Sequence, residues 1–336
     1  MRKTSRIAAI LCISALTSPF IRSAETKSPV STARAAQAQA TPTHPTKIII
    51  DSDIGDDVDD VFAIGLALTS PEVEIIGISS AWGDTQLRAR MIDRLLTETN
   101  TANIPVADGI PTKAQSNFSQ SAWAKGGNVT AKSHPQAVDF LLDQIKKDPG
   151  NITLVAIGPL TNIGAAIDRD PATFKKLNRV VIMGGAVRRG YGDLGYEPDH
   201  GPQPEYNIYS DVAAAQKLFT SGVPIYMMPL DSTQLKLDED KRAFLFKQGT
   251  PLTNALSTLY YQWGQQTPTL FDAMAVAYVL DPSLCPTTPL HITVEKDGAT
   301  RESAGAPNAN ACLASDSDQF FRFILPRLAK PFPLQR

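Results

Sequence analysis

The ten residues from Asp51 to Asp60 include six aspartates, and they directly follow the apolar, β-branched run Lys47–Ile50. Carboxylates this close together raise one another's pKa unless a cation compensates their charge. Oxygen ligands of this kind select a hard ion, Ca²⁺ or Mg²⁺. The regular EF-hand spacing is missing and a strand precedes the cluster, so we predict a metal site at the end of a strand. The alternative is a solvated acidic turn that caps a helix.

Apolar runs and helical periodicity alternate along the rest of the chain. The predicted strands are Lys47–Ile50, Val73–Ser80, Ile104–Ala107, Ile152–Ile157, Arg179–Met183, Val223–Met228 and Leu290–Val294. The predicted helices are Asp60–Leu68, Thr85–Glu98, Ala137–Lys146, Asp211–Phe219 with Ser210 as its N-cap, residues 251–265, residues 271–280 and Asp318–Leu328. This alternation is typical of a parallel sheet covered on both faces. We therefore predict a single α/β domain with a mostly parallel, twisted central sheet flanked by helices, and an active site at the carboxyl ends of the strands.

The N-terminus has the pattern of a secretory signal. Arg2, Lys3 and Arg6 precede the apolar run Ile7–Leu16, which is too short to span a membrane. The predicted organisation is a signal peptide over residues 1–24 with cleavage as late as residue 40, a disordered leader over 25–46, and a catalytic domain over 47–336. The protein is therefore predicted to be exported, to the periplasm or outside the cell, and to leave the membrane once the signal is removed. An unprocessed cytosolic tail is the alternative.

Charge and cysteine usage narrow the classes of partner. Without residues 1–40 the chain keeps 26 basic and 33 acidic residues, a net charge of about −7, and it has no basic stripe. Such a protein is a poor nucleic-acid binder. Beyond Cys12 in the signal, only Cys285 and Cys312 remain, and they either pair in an oxidising compartment or stay as free thiols. Without a CxxC motif, a cysteine zinc site is not expected.

Five short motifs follow one another along the chain. They are Asp51-Ser52-Asp53-Ile54-Gly55-Asp56-Asp57-Val58-Asp59-Asp60, Gly158-Pro159-Leu160-Thr161-Asn162, Met183-Gly184-Gly185, Glu205-Tyr206-Asn207-Ile208 and Phe271-Asp272-Ala273. In this order they resemble the nucleoside hydrolase family, the calcium-dependent N-ribohydrolases, over about residues 46–330. The first motif is the family's DxDxGxDD, lengthened here by two residues. The set is specific, whereas any one motif alone is weak.

The resemblance implies a Ca²⁺ site and a general base. Asp53 matches the aspartate that ligates calcium and takes the proton from the attacking water. Asp60 and Asp272 match further carboxylate ligands, and Ile157 matches the residue that gives a backbone carbonyl to the metal. Asp51 matches a carboxylate placed behind these ligands. The implied reaction is hydrolysis of the N-glycosidic bond of a ribonucleoside to free base and ribose.

The resemblance also implies the groups that bind the sugar. Asp59, Glu205 and Asn207 match residues that bind ribose hydroxyls, and Met183 matches a residue packed beside the sugar. The inserted pair Asp56-Asp57 leaves open whether one of its two carboxylates takes the role given to Asp59. Carboxylates around the ring would stabilise the oxocarbenium-like sugar of the transition state.

Two departures from the family pattern concern ribose and leaving-group chemistry. Asp84 stands where the family usually has an asparagine that holds the ribose, so an amide donor has become a carboxylate acceptor. The segment Met183–Glu205 is about eight residues longer than usual. Its Asp193, Asp199 and His200 are candidates to replace the missing asparagine or acid, and an ordinary exposed loop histidine is the alternative for His200.

A third departure concerns the base. Phe271 stands where many members have a histidine that can protonate the base, and phenylalanine cannot donate a proton. The purine-preferring branch instead stacks the base between aromatic rings at such a position, and Trp123 lies in the loop region of the other ring. We therefore expect a purine or mixed nucleoside preference, with Trp123 and Phe271 in the base site. Plain core packing of both rings is the alternative.

Two other functions compete with this hypothesis. Phosphatases of the haloacid dehalogenase type also begin with an hhhDxD strand, but their chemistry does not need Asp59, Asp60 or Asp272. A non-catalytic nucleoside- or sugar-binding protein would keep Glu205 and Asn207 and lose the metal set. Because the metal set is present, we favour an enzyme that acts on a small-molecule ribonucleoside, with the choice between a homodimer and a homotetramer left open. The histidines at 44, 134 and 291 have no carboxylate motif around them and are interpreted as non-catalytic.

Overall fold

The computed structural model of the protein describes residues 44–113, 118–127, 129, 132–194 and 201–331. Strand β1 (Thr46–Ser52) lies inside its sheet and pairs in parallel with a neighbour on each side. Ile48 and Ile50 are fully buried in one hydrophobic core, and Ile49 is fully buried in another. Because successive side chains of a strand point to opposite faces, the β-branched run builds the cores on both faces of the sheet.

The central sheet has eight strands in the described part of the chain. Besides β1 they are β2 (Val73–Ser80), β3 (Val106–Ala107), β4 (Ile152–Ala156), β5 (Arg179–Met183), β6 (Ile225–Met228), β7 (Thr287–Leu290) and, after a hairpin of β8 (Ile292–Val294) and β9 (Thr300–Glu302), β10 (Ala309–Cys312). The order is β3-β2-β1-β4-β5-β6-β10-β7, and only the β10–β7 pair is antiparallel. β8 and β9 form a separate two-stranded sheet. The predicted α/β fold with a mostly parallel sheet is confirmed.

Helices cover both faces of this sheet. They are α1 (Asp59–Leu68), α2 (Thr85–Glu98), α3 (Ser121–Lys125), α4 (Ala137–Lys147), α5 (Thr161–Arg169), α6 (Pro171–Phe174), α7 (Tyr206–Ser210), α8 (Val212–Thr220), α9 (Leu230–Thr233), α10 (Glu239–Phe246), α11 (Pro251–Trp263), α12 (Ala273–Leu280) and α13 (Ser317–Leu328), with 3-10 turns at Tyr191–Leu194 and Pro282–Leu284. Residues of α1, α2, α11, α12 and α13 fill one core, and residues of α4, α5, α6 and α8 fill the other. Within the described residues, no helix is long and apolar enough to cross a membrane.

The register brings the carboxyl ends of the central strands level with one another. Asp51 of β1 pairs with Ser79 of β2 and with Ala156 of β4. At the end of the next two strands, Met183 of β5 pairs with Met228 of β6. Loops that leave these strands therefore meet at one edge of the sheet, as expected for the ligand site of a parallel sheet.

Two local predictions were wrong. The cap of α8 is Asp211, whose carboxylate accepts from the Ala214 N–H at 3.0 Å, whereas the predicted cap Ser210 ends α7. Both residue types cap helices well, and the helix before α8 decided between them. The predicted strand Leu290–Val294 is broken between β7 and β8, because Leu290 pairs with Ala309 in the central sheet while the chain beyond it pairs within the hairpin.

Cys285 and Cys312 form a disulfide, which resolves the choice left open above. It joins the segment before β7 to the end of β10, next to the antiparallel edge of the sheet. The predicted signal peptide and nearly all of the predicted leader lie outside the described residues.

Candidate active site

A cavity of about 390 Å³ lies where the central strands end. Its described lining consists of Asp53, Asp56, Asp57, Asp59, Asp60, Ile157, Met183, Tyr191, Glu205, Tyr206, Asn207, Phe271 and Asp272. Most of the predicted site residues are therefore brought together in one place. Asp84 and Trp123 do not line it.

The β1–α1 turn holds its aspartates through short polar contacts. The Ser52 hydroxyl donates to Asp60 Oδ1 at 2.6 Å and accepts from the Ile54 N–H at 3.1 Å. Gly55 has a φ of +128°, and the Phe118 ring occupies the space that a Cβ there would need. Asp59 and Asp60 lie in the first turn of α1, where the helix dipole favours negative charge. The turn is therefore fixed by the residues between the aspartates as well as by the aspartates themselves.

Asp53 lies at the inner end of this turn, against the loop after β4. A Cβ at Gly158 would stand 2.8 Å from Asp53 Oδ1, so only glycine leaves room for this carboxylate. Burial raises the pKa of Asp53 to about 7, with the charge of Arg88 acting in the opposite direction. Arg88 is fully buried; it donates to the carbonyls of Asp53 and Ile54 and pairs with Asp56 Oδ2 at 2.9 Å. Sequence reasoning missed Arg88, because it is one of several arginines on a polar-faced helix.

Three buried carboxylates come closest together. Asp59, Asp60 and Asp272 each offer an oxygen within 4.8 Å of the other two. Asp272 arrives from the start of α12, and its N–H donates to Asp59 Oδ2 at 3.3 Å. Burial first, and repulsion by neighbouring aspartates second, raise the pKa of all three well above the usual range. The predicted metal set named Asp53 where this trio has Asp59, although the charge of Asp53 also acts on Asp60 and Asp272.

Asp51 lies behind the cavity and ties strand ends together. Its Oδ1 accepts from the Ser79 hydroxyl and from Asn162 Nδ2, the latter at 2.8 Å. Asn162 also donates to the Ser80 carbonyl at 2.9 Å and accepts from the Ile110 N–H at 2.9 Å. Burial raises the pKa of Asp51 to about 6. The motif that contains Asn162 was visible in the sequence, but its contact with Asp51 depends on the fold.

Glu205 and Asn207, at the start of α7, form another part of the cavity wall. The buried Glu205 carboxylate accepts from three backbone N–H groups, those of Gly185 at 2.8 Å, Asn207 at 2.9 Å and Ile208 at 3.2 Å. Burial raises the pKa of Glu205, and these donors partly offset the effect. Asn207 Nδ2 donates to the Met183 carbonyl at 3.1 Å. Both side chains are thus held in place from behind.

The aromatic rings of the site differ from the predicted pair. Phe271 is half-buried in the lining and meets Tyr191 edge to face, with centroids 6.2 Å apart. Trp123 is only 4% exposed and packs in the core, with Arg94 Cζ 4.2 Å above its ring. The core-packing alternative therefore describes Trp123. Tyr191 and Tyr206 were missed, because nothing in the loop sequence indicates which side chains turn inward.

The other predicted candidates are not part of the described lining. Asp84 is exposed and caps α2, accepting from the Leu87 N–H at 3.0 Å, so the structure does not bring it to the cavity. Asp193 belongs to the 3-10 turn Tyr191–Leu194. Asp199 and His200 lie outside the described residues.

A second cavity of about 280 Å³ adjoins the first and shares Asp57 and Phe271 with it. Its other described lining residues are Trp263, Gln265, Gln266, Thr267 and Thr269. The first cavity offers carboxylates for a hard cation and for hydroxyl donors, and the second offers an aromatic ring and neutral amides. Together they suit a polyhydroxylated ligand that carries a planar group.

Comparisons with known proteins agree with this arrangement. The model of the family described as "Inosine-uridine preferring nucleoside hydrolase" matches residues 48–322. The chain is 30% identical over 269 residues to the pyrimidine-specific ribonucleoside hydrolase RihB of Escherichia coli, covering 74% of this chain and 83% of that protein. The structure is similar to a plant nucleoside hydrolase, PpNRh1 (TM-score 0.75, 26% identity, 85% of this chain and 100% of that one), and to the purine-preferring ribonucleoside hydrolase from Gardnerella vaginalis (TM-score 0.73, 25% identity, 84% and 98%).

Proposed function

The chain belongs to the inosine-uridine preferring nucleoside hydrolase family, and on that premise we propose that it hydrolyses the N-glycosidic bond of ribonucleosides in a calcium-dependent reaction with Asp53 as general base. The observation that carries the proposal is the convergence of Asp59, Asp60 and Asp272 beside Asp53 in one cavity. Because the chain belongs to this family, the alternative hypothesis of a phosphatase is rejected. The products would be the free base and ribose.

The residues present fit a Ca²⁺ ion. The three converging carboxylates offer only oxygen, and the described lining of the cavity contains no lysine, arginine or histidine to balance them. Calcium accepts six to eight oxygen ligands in flexible geometry, which suits carboxylates from separate elements. We propose that Asp53, Asp60, Asp272 and the Ile157 carbonyl hold the ion. When bound, the ion supplies positive charge that keeps these carboxylates ionised and makes nearby water more acidic.

Asp53 is proposed to take the proton of the attacking water. The water oxygen bonds to C1′ of the ribose, its proton passes to Asp53, and the C1′–N bond breaks with its electron pair going to the base. An ionised carboxylate that lines the cavity beside the sugar is in a position to accept that proton. The tight contact with Gly158 would fix its position relative to the sugar.

Asp59, Glu205 and Asn207 are proposed to bind the ribose, with Met183 packed beside it. The backbone N–H groups of Gly185, Asn207 and Ile208 orient the Glu205 carboxylate. The side chain therefore loses little conformational freedom when the ribose binds. Negative charge on this wall would stabilise the positive charge that develops on the sugar. A site that pairs these groups with ribose hydroxyls discriminates against 2′-deoxy analogues, which leave the groups unpaired.

For the base we propose a purine or mixed preference with Phe271 as the stacking ring. The relatives divide on this point, since RihB is named pyrimidine-specific and the Gardnerella enzyme purine-preferring. Support comes from the adjoining cavity, which extends the space beyond Phe271 toward Trp263.

A reducing-sugar assay across inosine, adenosine, guanosine, uridine and cytidine tests the function. We expect ribose release from several of them, loss of activity with a calcium chelator, recovery with added Ca²⁺, and little activity on 2′-deoxyinosine. Full activity after chelation would remove calcium from the proposal. No release from any nucleoside would remove the hydrolase itself.

Export to the periplasm or outside the cell is proposed from the N-terminal signal pattern. The Cys285–Cys312 disulfide supports it, because structural disulfides persist in oxidising compartments. Fractionation of cells producing the full chain tests this, and we expect activity outside the cytosol and a mass that reflects signal removal.

A further inference from the structure

The two cavities meet at Asp57 and Phe271, which line both. Under the proposed function the ribose lies against Glu205 and Asn207, so the base extends toward this meeting point and toward Trp263. The leaving group is therefore placed beside a carboxylate as well as aromatic rings. Asp57 is outside the carboxylates that the proposed function gives to the metal and to the ribose, so its charge is available to the base.

The charge of the cavity is strongly one-sided. Seven described lining residues carry carboxylates: Asp53, Asp56, Asp57, Asp59, Asp60, Glu205 and Asp272. Arg88 pairs with Asp56 from beneath the cavity, and one divalent cation balances two further charges. Coulomb attraction in a partly enclosed site then favours a ligand that brings positive charge of its own.

The shortage of proton donors for the leaving base also favours a cationic substrate. With the carboxylates kept ionised by the proposed cation, the proton donors in the described lining are Tyr191 and Tyr206 and the amide of Asn207, which is bonded to Met183. The Tyr191 hydroxyl is engaged with Glu205 and accepts from the Tyr206 N–H. The Tyr206 oxygen accepts from the Trp82 side chain, so its own O–H is still available, but burial raises the pKa of this phenol and makes it a weak acid. A neutral base must gain a proton as it leaves. A base that is already cationic needs none, because the electron pair of the broken C1′–N bond neutralises it.

We propose that this site selects ribonucleosides whose base carries a permanent positive charge, such as N-ribosylpyridinium and N7-alkylpurine ribosides. Asp57 is the residue whose carboxylate attracts the charged base. The inference rests on the proposed hydrolase function and names its substrate class. Phe271 and Trp263 add cation–π attraction on the same side. Hydrolysis balances without a proton donor: water gives its hydroxyl to C1′ and its proton to Asp53, and the base departs neutral.

The test compares 7-methyladenosine, whose base has no acidic ring N–H and stays cationic, with adenosine. Both substrates are assayed with the wild-type enzyme and with Asp57→Asn, which keeps the side-chain size and the acceptor for the Val58 N–H. For each enzyme we take the ratio of kcat/KM for the cationic substrate to kcat/KM for the neutral one. The intrinsic reactivity of the substrates and the bulk of the added methyl group affect both enzymes alike, so they do not contribute to the difference between the two ratios. We expect that ratio to fall about 10-fold in Asp57→Asn, the effect of one charge at close range. Asp316→Asn, an exposed N-cap far along the chain, is the matched control and should leave the ratio unchanged.

A second measurement needs no variant. The cation 3-carbamoyl-1-methylpyridinium and the neutral 3-methylbenzamide have the same shape, and we expect the cation to inhibit at least about 5-fold more tightly. Equal inhibition, or a kcat/KM ratio that Asp57→Asn leaves unchanged while nucleosides are still hydrolysed, would overturn the inference and leave the hydrolase standing. Failure of the wild-type enzyme on every nucleoside would overturn the proposed function, and this inference with it.

Discussion

Two groups of carboxylates in this molecule are neutralised in different ways. At the β3 edge of the sheet, buried Asp93 lies 2.9 Å from Lys132 Nζ and 3.0 Å from His134 Nε2, and His134 Nδ1 lies 3.2 Å from Asp108. We call these four residues the edge cluster. In the cavity, Asp59, Asp60 and Asp272 face one another and have strongly raised pKa values. In the edge cluster the chain itself supplies the cation, Lys132. In the cavity Arg88 pairs with Asp56, and the charge that would balance the three converging carboxylates is left to a ligand.

The largest expected difference between the groups is catalytic. Asp53→Asn should lower kcat by about 10²–10⁴-fold, because it removes the proposed general base and a proposed charged ligand of the metal. Asp93→Asn in the edge cluster should leave kcat within about twofold once rates are corrected for the folded fraction. Steady-state kinetics on inosine measures both. Near-normal turnover by Asp53→Asn would move the role of base to Asp57.

Removing the cationic side chain paired with each group should lower the stability of the protein to different extents. Arg88→Met should lower the free energy of unfolding by about 3–5 kcal/mol, because it leaves Asp56 and two carbonyls without their buried donor. Lys132→Met should cost at most about 1 kcal/mol, since the Lys132 side chain is 40% exposed. Urea unfolding at neutral pH measures both values. Similar costs for the two variants would mean that burial does not distinguish the pairs.

Calcium should stabilise the cavity and leave the edge cluster unaffected. A ligand present at 100 times its Kd stabilises the native state by about 2.7 kcal/mol. We therefore expect the Tm of the wild-type protein to rise on titration with Ca²⁺ after chelator treatment. Asp93→Asn should show the same rise, and Asp60→Asn a much smaller one. An equal rise in Asp60→Asn would place the ion elsewhere.

The smallest predicted effect is a change in stability whose sign depends on whether Ca²⁺ is present. Without Ca²⁺, Asp60→Asn should stabilise the protein by about 1 kcal/mol, because it removes one charge from a repelling group. Asparagine keeps the oxygen that accepts from the Ser52 hydroxyl. With saturating Ca²⁺ the same substitution should destabilise. Thermal melts of both proteins with and without the ion measure the reversal, and a variant that is less stable in both conditions would contradict the repulsion argument.

Sequence reasoning was sufficient wherever one segment carried its own signal. The apolar run of β1 and the aspartates after it predicted both a buried parallel strand and a site at its end. Contacts between residues far apart in the sequence could not be predicted in this way. His134 has no carboxylate motif near it in the chain, yet it lies between Asp93 and Asp108. The direction of Trp123, in a short loop helix, depended on the packing of Arg94 against it.

The order of strands at the far edge of the sheet has a consequence for biosynthesis. β10 lies between β6 and β7, although the chain makes β7 first. Until β10 has left the ribosome, β6 presents an unpaired edge and β7 has no neighbour in the sheet. Exposed edges of this kind invite pairing with other chains. Nascent chains that stop short of β10 should therefore be the aggregation-prone species. A C-terminal truncation there should be insoluble even though every described residue of the cavity lining precedes it.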